Sequence, residues 1–190
     1  MATNKAKTVE IIPPKNIWVG SDDAPVRLVM YGDYESEPCA KVNEVVKKLL
    51  AQYNDQVKFN FRHFPLTRVN QHAHKAAEAA VGAAQEGKFW PMHNLLFTNR
   101  RNLGTVSLKG CAKEAGVTNK KFLNELMDSM YGWTVRNDLL EALGKGVREV
   151  PAVFINDVLF TGHLTVPGLS KAIDEILAQT KKKKTVKQRA

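Results

Sequence analysis

The sequence predicts one α/β domain in the order strand–helix–strand, a block of helices, then strand–strand–helix. Three observations carry that expectation. The apolar run Arg27-Leu28-Val29-Met30-Tyr31 gives way to a helical period through Ala40, Val42, Val45, Val46, Leu49 and Leu50, and then to the alternating Val57, Phe59, Phe61 and His63. Residues 70–146 keep a helical pattern throughout. The apolar runs 151–155 and 158–161 flank Asn156-Asp157, a dipeptide suited to a hairpin, and an amphipathic segment closes the unit.

Each element has its local reason. A polar leader, placed at residues 1–21, is expected to hold a short edge strand at Ile17-Trp18-Val19-Gly20, and the polar, proline-ended stretch 21–25 turns the chain into the first central strand. The first helix is expected to run to about Tyr53, where Asn54-Asp55 turns into the second strand. A right-handed crossover makes these two strands parallel neighbours. Within the helical block the segments 72–85, 88–98, 107–115, 120–130 and 135–143 are expected to be separated by Gly87, Gly104, Gly116 and Gly132 as helix stops. The closing helix spans 166–178, with Leu169, Ile173, Ile176 and Leu177 on one face.

With 190 residues and 44% hydrophobic content, the chain can bury a sizeable core without a second domain. The domain is expected over 22–179, with the insertion at about 70–146. Cys39 and Cys111 are too few for a disulfide framework, and a reducing compartment is the simpler setting. No segment has the apolar length of a signal-peptide core or a membrane span, so the sequence as given reads as cytoplasmic, or as an exported protein whose leader has been removed. Of the net charge of +9, six charges lie in the last ten residues, leaving +3 elsewhere. That run, 180–190, reads as a solvated, disordered tail rather than a nucleic-acid site, since no interleaved aromatics offer base stacking.

The chemistry-bearing stretch is Asp33-Tyr34-Glu35-Ser36-Glu37-Pro38-Cys39, at the junction of the first central strand and the first helix. The stretch resembles the place where a thioredoxin-like redox protein carries Cys-x-x-Cys, but here it reads Ser-x-x-Cys. The element order is that of a thioredoxin-like fold with a helical insertion between the second and third core strands. Four segments, Tyr31-Gly-Asp-Tyr-Glu35, Arg62-His-Phe-Pro-Leu66, the stretch from Ala76 through Trp90 to Phe97, and Val150-Pro151-Ala-Val-Phe-Ile-Asn156, together resemble the DsbA-like thiol–disulfide oxidoreductases from about Asp22 to Gln179.

That resemblance implies catalytic positions at Ser36, in place of the exposed nucleophilic cysteine, and at Cys39, the buried resolving cysteine. It also implies a cis Val150–Pro151 peptide beside the motif. Substrate contacts are then expected at Glu37, Pro38, Val150 and Pro151, although Glu37-Pro38 departs from the family's Pro-aromatic interior. A helix N-terminus can lower a thiol pKa from about 8.5 to between roughly 3.5 and 7.5, and that advantage belongs to position 36. A serine there has no sequence-adjacent base, which leaves it as an N-cap or a donor.

The first functional expectation is therefore an atypical member of that family acting through the single thiol Cys39 and mixed disulfides, with protein thiols as partners and glutathione as a substrate or resolving thiol. Cys39 can equally be a small packed hydrophobe. A second expectation is a glutathione-binding transferase: kappa-type glutathione transferases resemble this architecture and hold the thiolate with a serine. A third is a non-catalytic module whose groove beside Pro151 pairs with an extended peptide. No other cofactor, metal or membrane partner is expected. His72 and His74, at i and i+2, face different sides of a helix, Cys111 reads as structural, and Asp33 and Glu35 read as a solvated loop.

Overall fold

The strand formed by Val26–Gly32 lies at the centre of a five-stranded sheet. The computed structural model describes the backbone of residues 11–187, with side chains to residue 180. We number the strands β1 (Trp18–Val19), β2 (Val26–Gly32), β3 (Val57–His63), β4 (Ala152–Ile155) and β5 (Val158–Leu159), in spatial order β1-β3-β2-β4-β5. Only β2 and β3 are parallel, in register from Val26 opposite Val57 to Gly32 opposite His63. The helix between them, α1 (Glu37–Tyr53), makes the βαβ crossover that the apolar periods required.

Odd and even side chains of β2 enter different cores. Val26, Leu28 and Met30 join α1 and the helices α2 (Ala73–Ala84), α3 (Phe89–Thr98) and α4 (Thr105–Glu114) in the main cluster, while Tyr31 packs with Phe154, Ala142 and Val147 on the opposite face. The insertion continues through α5 (Phe122–Met127) and α6 (Gly132–Gly144). Gly82 on α2 lets Phe122 and Tyr131 close in, because a Cβ there would meet their rings at about 2.9–3.0 Å.

Most boundaries fall within a few residues of expectation, and the departures have local causes. Gly87 and Gly116 stop helices with positive φ, but Gly104 caps the start of α4 and Gly132 opens α6. β5 is two residues long rather than four. Asn156 and Asp157 both take positive φ, 47° and 69°, as the tight hairpin needs, and the turn is tied to β2 by Asn156 Oδ1 accepting from the Arg27 amide at 2.7 Å.

The expected leader is largely packed where it is described: Asn60 Nδ2 donates to the carbonyls of Pro14 and Ile17, and β1 pairs with β3. Residues 1–10 lie outside the described residues. The closing helix α7 (Val166–Lys187) runs through most of the segment expected to be a disordered tail, since a lysine run has good intrinsic helix propensity; residues 188–190 lie outside the described residues. No helix among the described residues is long and apolar enough to cross a membrane.

Candidate functional site

Ser36 caps α1. Its φ and ψ of −73° and 122° are extended, and its Oγ accepts from the Cys39 amide at 3.3 Å, satisfying one of the orphan donors of the first turn. Glu37 and Pro38 follow in the first turn and are exposed. The Glu37 carboxylate holds Lys41 at 3.1 Å and Arg100 at 3.1 Å, and its pKa is lowered by the Lys41 hydrogen bond and by both positive charges.

Cys39 lies one turn deeper, at zero exposure, and its Sγ accepts weakly from the Asp33 amide at 3.5 Å. Burial pushes the thiol up to about 11, against the smaller opposing effects of Ser36 and the Asp33 amide. The thiolate needed for exchange is thus disfavoured at neutral pH. Cys111 is a second free, buried thiol, with Asn99 Nδ2 at 3.6 Å from its sulfur.

The other half of the expected site meets the motif through strand register. Tyr31 stands opposite Ala152, so one step onward the Val150–Pro151 peptide lies beside Gly32-Asp33 at the same sheet end. That peptide is cis, and both of its residues are half-buried. Ser36, Glu37, Pro38, Val150 and Pro151 therefore lie at the same end of the sheet, with Cys39 buried one turn into α1.

Asp33 and Glu35 are not a solvated loop. Asp33 is buried, its Oδ1 accepting from the Glu35 amide at 2.8 Å and its Oδ2 from the Leu66 amide and Asn70 Nδ2 at 2.8 and 2.9 Å. One carboxylate thereby fastens the loop after β3 to the motif. Glu35 accepts from the His72 amide and faces His72 Nδ1, closing the start of α2. The first of these contacts is an Asx turn, a pattern an aspartate three residues before Ser36 could have suggested.

Sequence reasoning also missed a buried chain around Cys39. Asn43, one turn after Cys39 on α1, presents Oδ1 to His93 Nε2 at 2.9 Å, and His93 Nδ1 faces the Tyr34 hydroxyl at 3.0 Å. The proton then sits on Nε2, and Tyr34 donates to Nδ1. Burial holds His93 well below its usual pKa, with smaller effects of His63 and Lys47 in the same direction, which keeps this link neutral. His63 belongs elsewhere: its amide and Nδ1 both meet Asp138 Oδ2, at 3.0 and 3.1 Å. No group of His, Cys, Asp and Glu among the described residues is arranged to hold a metal ion.

A family model described as "Thioredoxin" matches residues 13–175. This chain belongs to the thioredoxin family. Its fold is the DsbA-like form. Oxidised BdbD from Bacillus subtilis superposes with a TM-score of 0.78 at 21% identity, over 87% of this chain and 93% of that one. The thiol-disulfide exchange protein alpha-DsbA2 from Wolbachia pipientis gives 0.72 at 22% identity, over 84% and 86%. At these identities the likeness is one of fold.

By sequence, the chain is 31% identical over 173 residues to a protein of Salinispora arenicola named Na(+)/H(+) antiporter NhaA 1, covering 91% of this chain and 26% of that protein. A Mycolicibacterium gilvum protein of the same name is 30% identical over 166 residues. The chain spans about a quarter of the length of these curated relatives.

Proposed function

We propose that the surface bordered by Ser36, Glu37, Pro38, Val150 and Pro151 binds an extended polypeptide segment and does not carry out dithiol exchange. The observation that carries this reading is the state of Cys39. Its sulfur is fully buried, its thiol is pushed up to about 11, and the residue at the activated helix start is a serine whose oxygen caps the helix. A lone, protonated, inaccessible thiol neither attacks a disulfide nor stores two oxidising equivalents. The exposed Glu37-Pro38 turn and the half-buried Val150–Pro151 segment offer an extended chain a place to lie.

The test is native-state alkylation of Cys39 and Cys111 across pH 6 to 10, with and without millimolar glutathione, read by peptide mass spectrometry. We expect Cys39 to react only at the rate of unfolding and to form no glutathione adduct. A glutathione adduct confined to native Cys39 would instead establish the single-thiol reading, while glutathione binding that is lost in Ser36→Ala, with no adduct, would point to the transferase-like one. Ser36→Cys supplies the missing sulfur where the helix dipole lowers its pKa, and should confer insulin-disulfide reduction that the native chain lacks.

A further inference from the structure

Away from that surface, a groove of about 650 Å³ runs between α6 and the loop after β3, lined by Pro65, Thr67, Trp133, Arg136, Leu140 and Leu143 among others. α6 turns Val135, Asp138 and Ala142 inward, as a surface helix should. Its outward side breaks the rule: Trp133 is 66% exposed, Leu140 48% and Leu143 38%. With Arg136 they fall at spacings of three, four and three residues, the a/d seam of a helix that packs on another helix. Most exposed apolar side chains occur singly, and a contiguous seam of this kind marks an interaction site.

The charge at the seam selects the occupant. Arg136 lies over the Trp133 ring at 5.9 Å and makes no ion pair among the described residues, and no acidic side chain lines the groove. A second copy of this chain, seam on seam, would bring its own Arg136 to within about 6 Å along the helix axis and no carboxylate: Asp138 is buried against Arg62 and His63, and Glu141 is held by Arg62, Tyr31 and Lys145. We propose that the groove receives an amphipathic helix of another polypeptide, with apolar residues against Trp133, Leu140 and Leu143 and a carboxylate opposite Arg136.

The site is separate from the Ser36–Pro151 surface but mechanically joined to it. Pro65 and Thr67 belong to the loop that Leu66 and Asn70 fasten to Asp33. A helix seated in the groove therefore bears on the same loop that holds the motif.

The probe is a synthetic helical peptide of about 18 residues, with leucine at heptad positions a and d and glutamate at e and g, titrated by calorimetry into the full chain. A matched peptide with lysine at e and g and phosphatidylglycerol vesicles are run beside it. We expect the glutamate peptide to bind, the lysine peptide to bind at least about tenfold more weakly, and Leu140→Glu to weaken the glutamate peptide by about tenfold or more. Arg136→Glu should reverse the preference in favour of the lysine peptide, a gain that a misfolded variant would not show. Equal binding of the two peptides, binding indifferent to both variants, Leu140-dependent uptake by vesicles without peptide binding, or a dimer in sedimentation that Leu140→Glu dissolves would each overturn the proposal.

Discussion

The start of α1 and the anchor of α6 sit at the same end of the sheet and handle charge in opposite ways. At α1, where family chemistry would reside, the ion pairs of Glu37 with Lys41 and Arg100 lie at the surface, and the serine cap, the protonated thiol and the His93 that links Tyr34 to Asn43 beneath them are neutral. At α6, charge is concentrated. Arg62 reaches Asp138 Oδ1 at 2.6 Å and Glu141 Oε2 at 2.7 Å, Asp138 also holds His63, and Glu141 accepts from the Tyr31 hydroxyl at 3.0 Å. Burial alone would raise both carboxyl pKa values, but His63 and Arg62 take Asp138 below its usual range and Arg62 and Tyr31 take Glu141 down to about 2. The strongest stabilisation of ionised groups thus marks a structural clamp rather than a reactive centre.

The largest test of that contrast is Arg62→Met. Removing one partner from a buried ion pair leaves Asp138 uncompensated, and a loss of about 3–5 kcal/mol is expected in urea unfolding at pH 7. A loss under about 1 kcal/mol would mean that the clamp is not what holds α6 to the sheet. Double replacement, with Asp138→Asn added, should recover part of the loss, because no isolated charge then remains in the core and an amide oxygen still faces the His63 donors.

Acid separates the two regions further. His93 has a folded pKa below its ordinary 6.5, so the unfolded chain takes up the proton first; the stability His93 provides is complete above pH 6.5 and declines as pH falls below it. One proton gives a slope of about 1.4 kcal/mol per pH unit. His74, lowered by burial with Glu78 opposing, adds to the same window. The clamp responds later: Asp138 and Glu141 have depressed pKa values, so their contribution is lost only below their ordinary 3.8 and 4.5, and for Glu141 down to about 2. Urea midpoints measured from pH 8 to 3 should therefore show two stages, the first reduced in His93→Gln to what His74 contributes. A single transition beginning below pH 4.5 would remove the neutral bracket around Cys39 from the account.

Much of the fold was legible because its signals are local. Alternation in Val57, Phe59 and Phe61, the apolar stripe of α1 and the Asn156-Asp157 turn need only neighbours in sequence. The position of the motif, the burial of Cys39 and the capping role of Ser36 were readable for the same reason. What escaped depends on pairs far apart in the chain: Asp33 with Leu66 and Asn70, Tyr34 with His93, Arg62 with Asp138. A polar residue's partner across 30 to 80 positions has no period to betray it, so Asp33 reads as solvated loop and spacing names no partner for His63 or His93.

The smallest expected effect lies at the motif itself. Ser36→Ala removes the acceptor for the Cys39 amide, at a cost of about 1 kcal/mol, whereas Ser36→Asp keeps an acceptor there and adds a charge suited to the helix start, leaving stability near native. Glu37→Gln, on exposed ion pairs with Lys41 and Arg100, should change the urea midpoint by less than Ser36→Ala does, and that change should vanish in molar salt. A ranking in which Glu37 outweighs Ser36 would place the organising force of this end of α1 in its surface charges. The opposite ranking identifies it as the hydrogen bond by which a serine closes the helix.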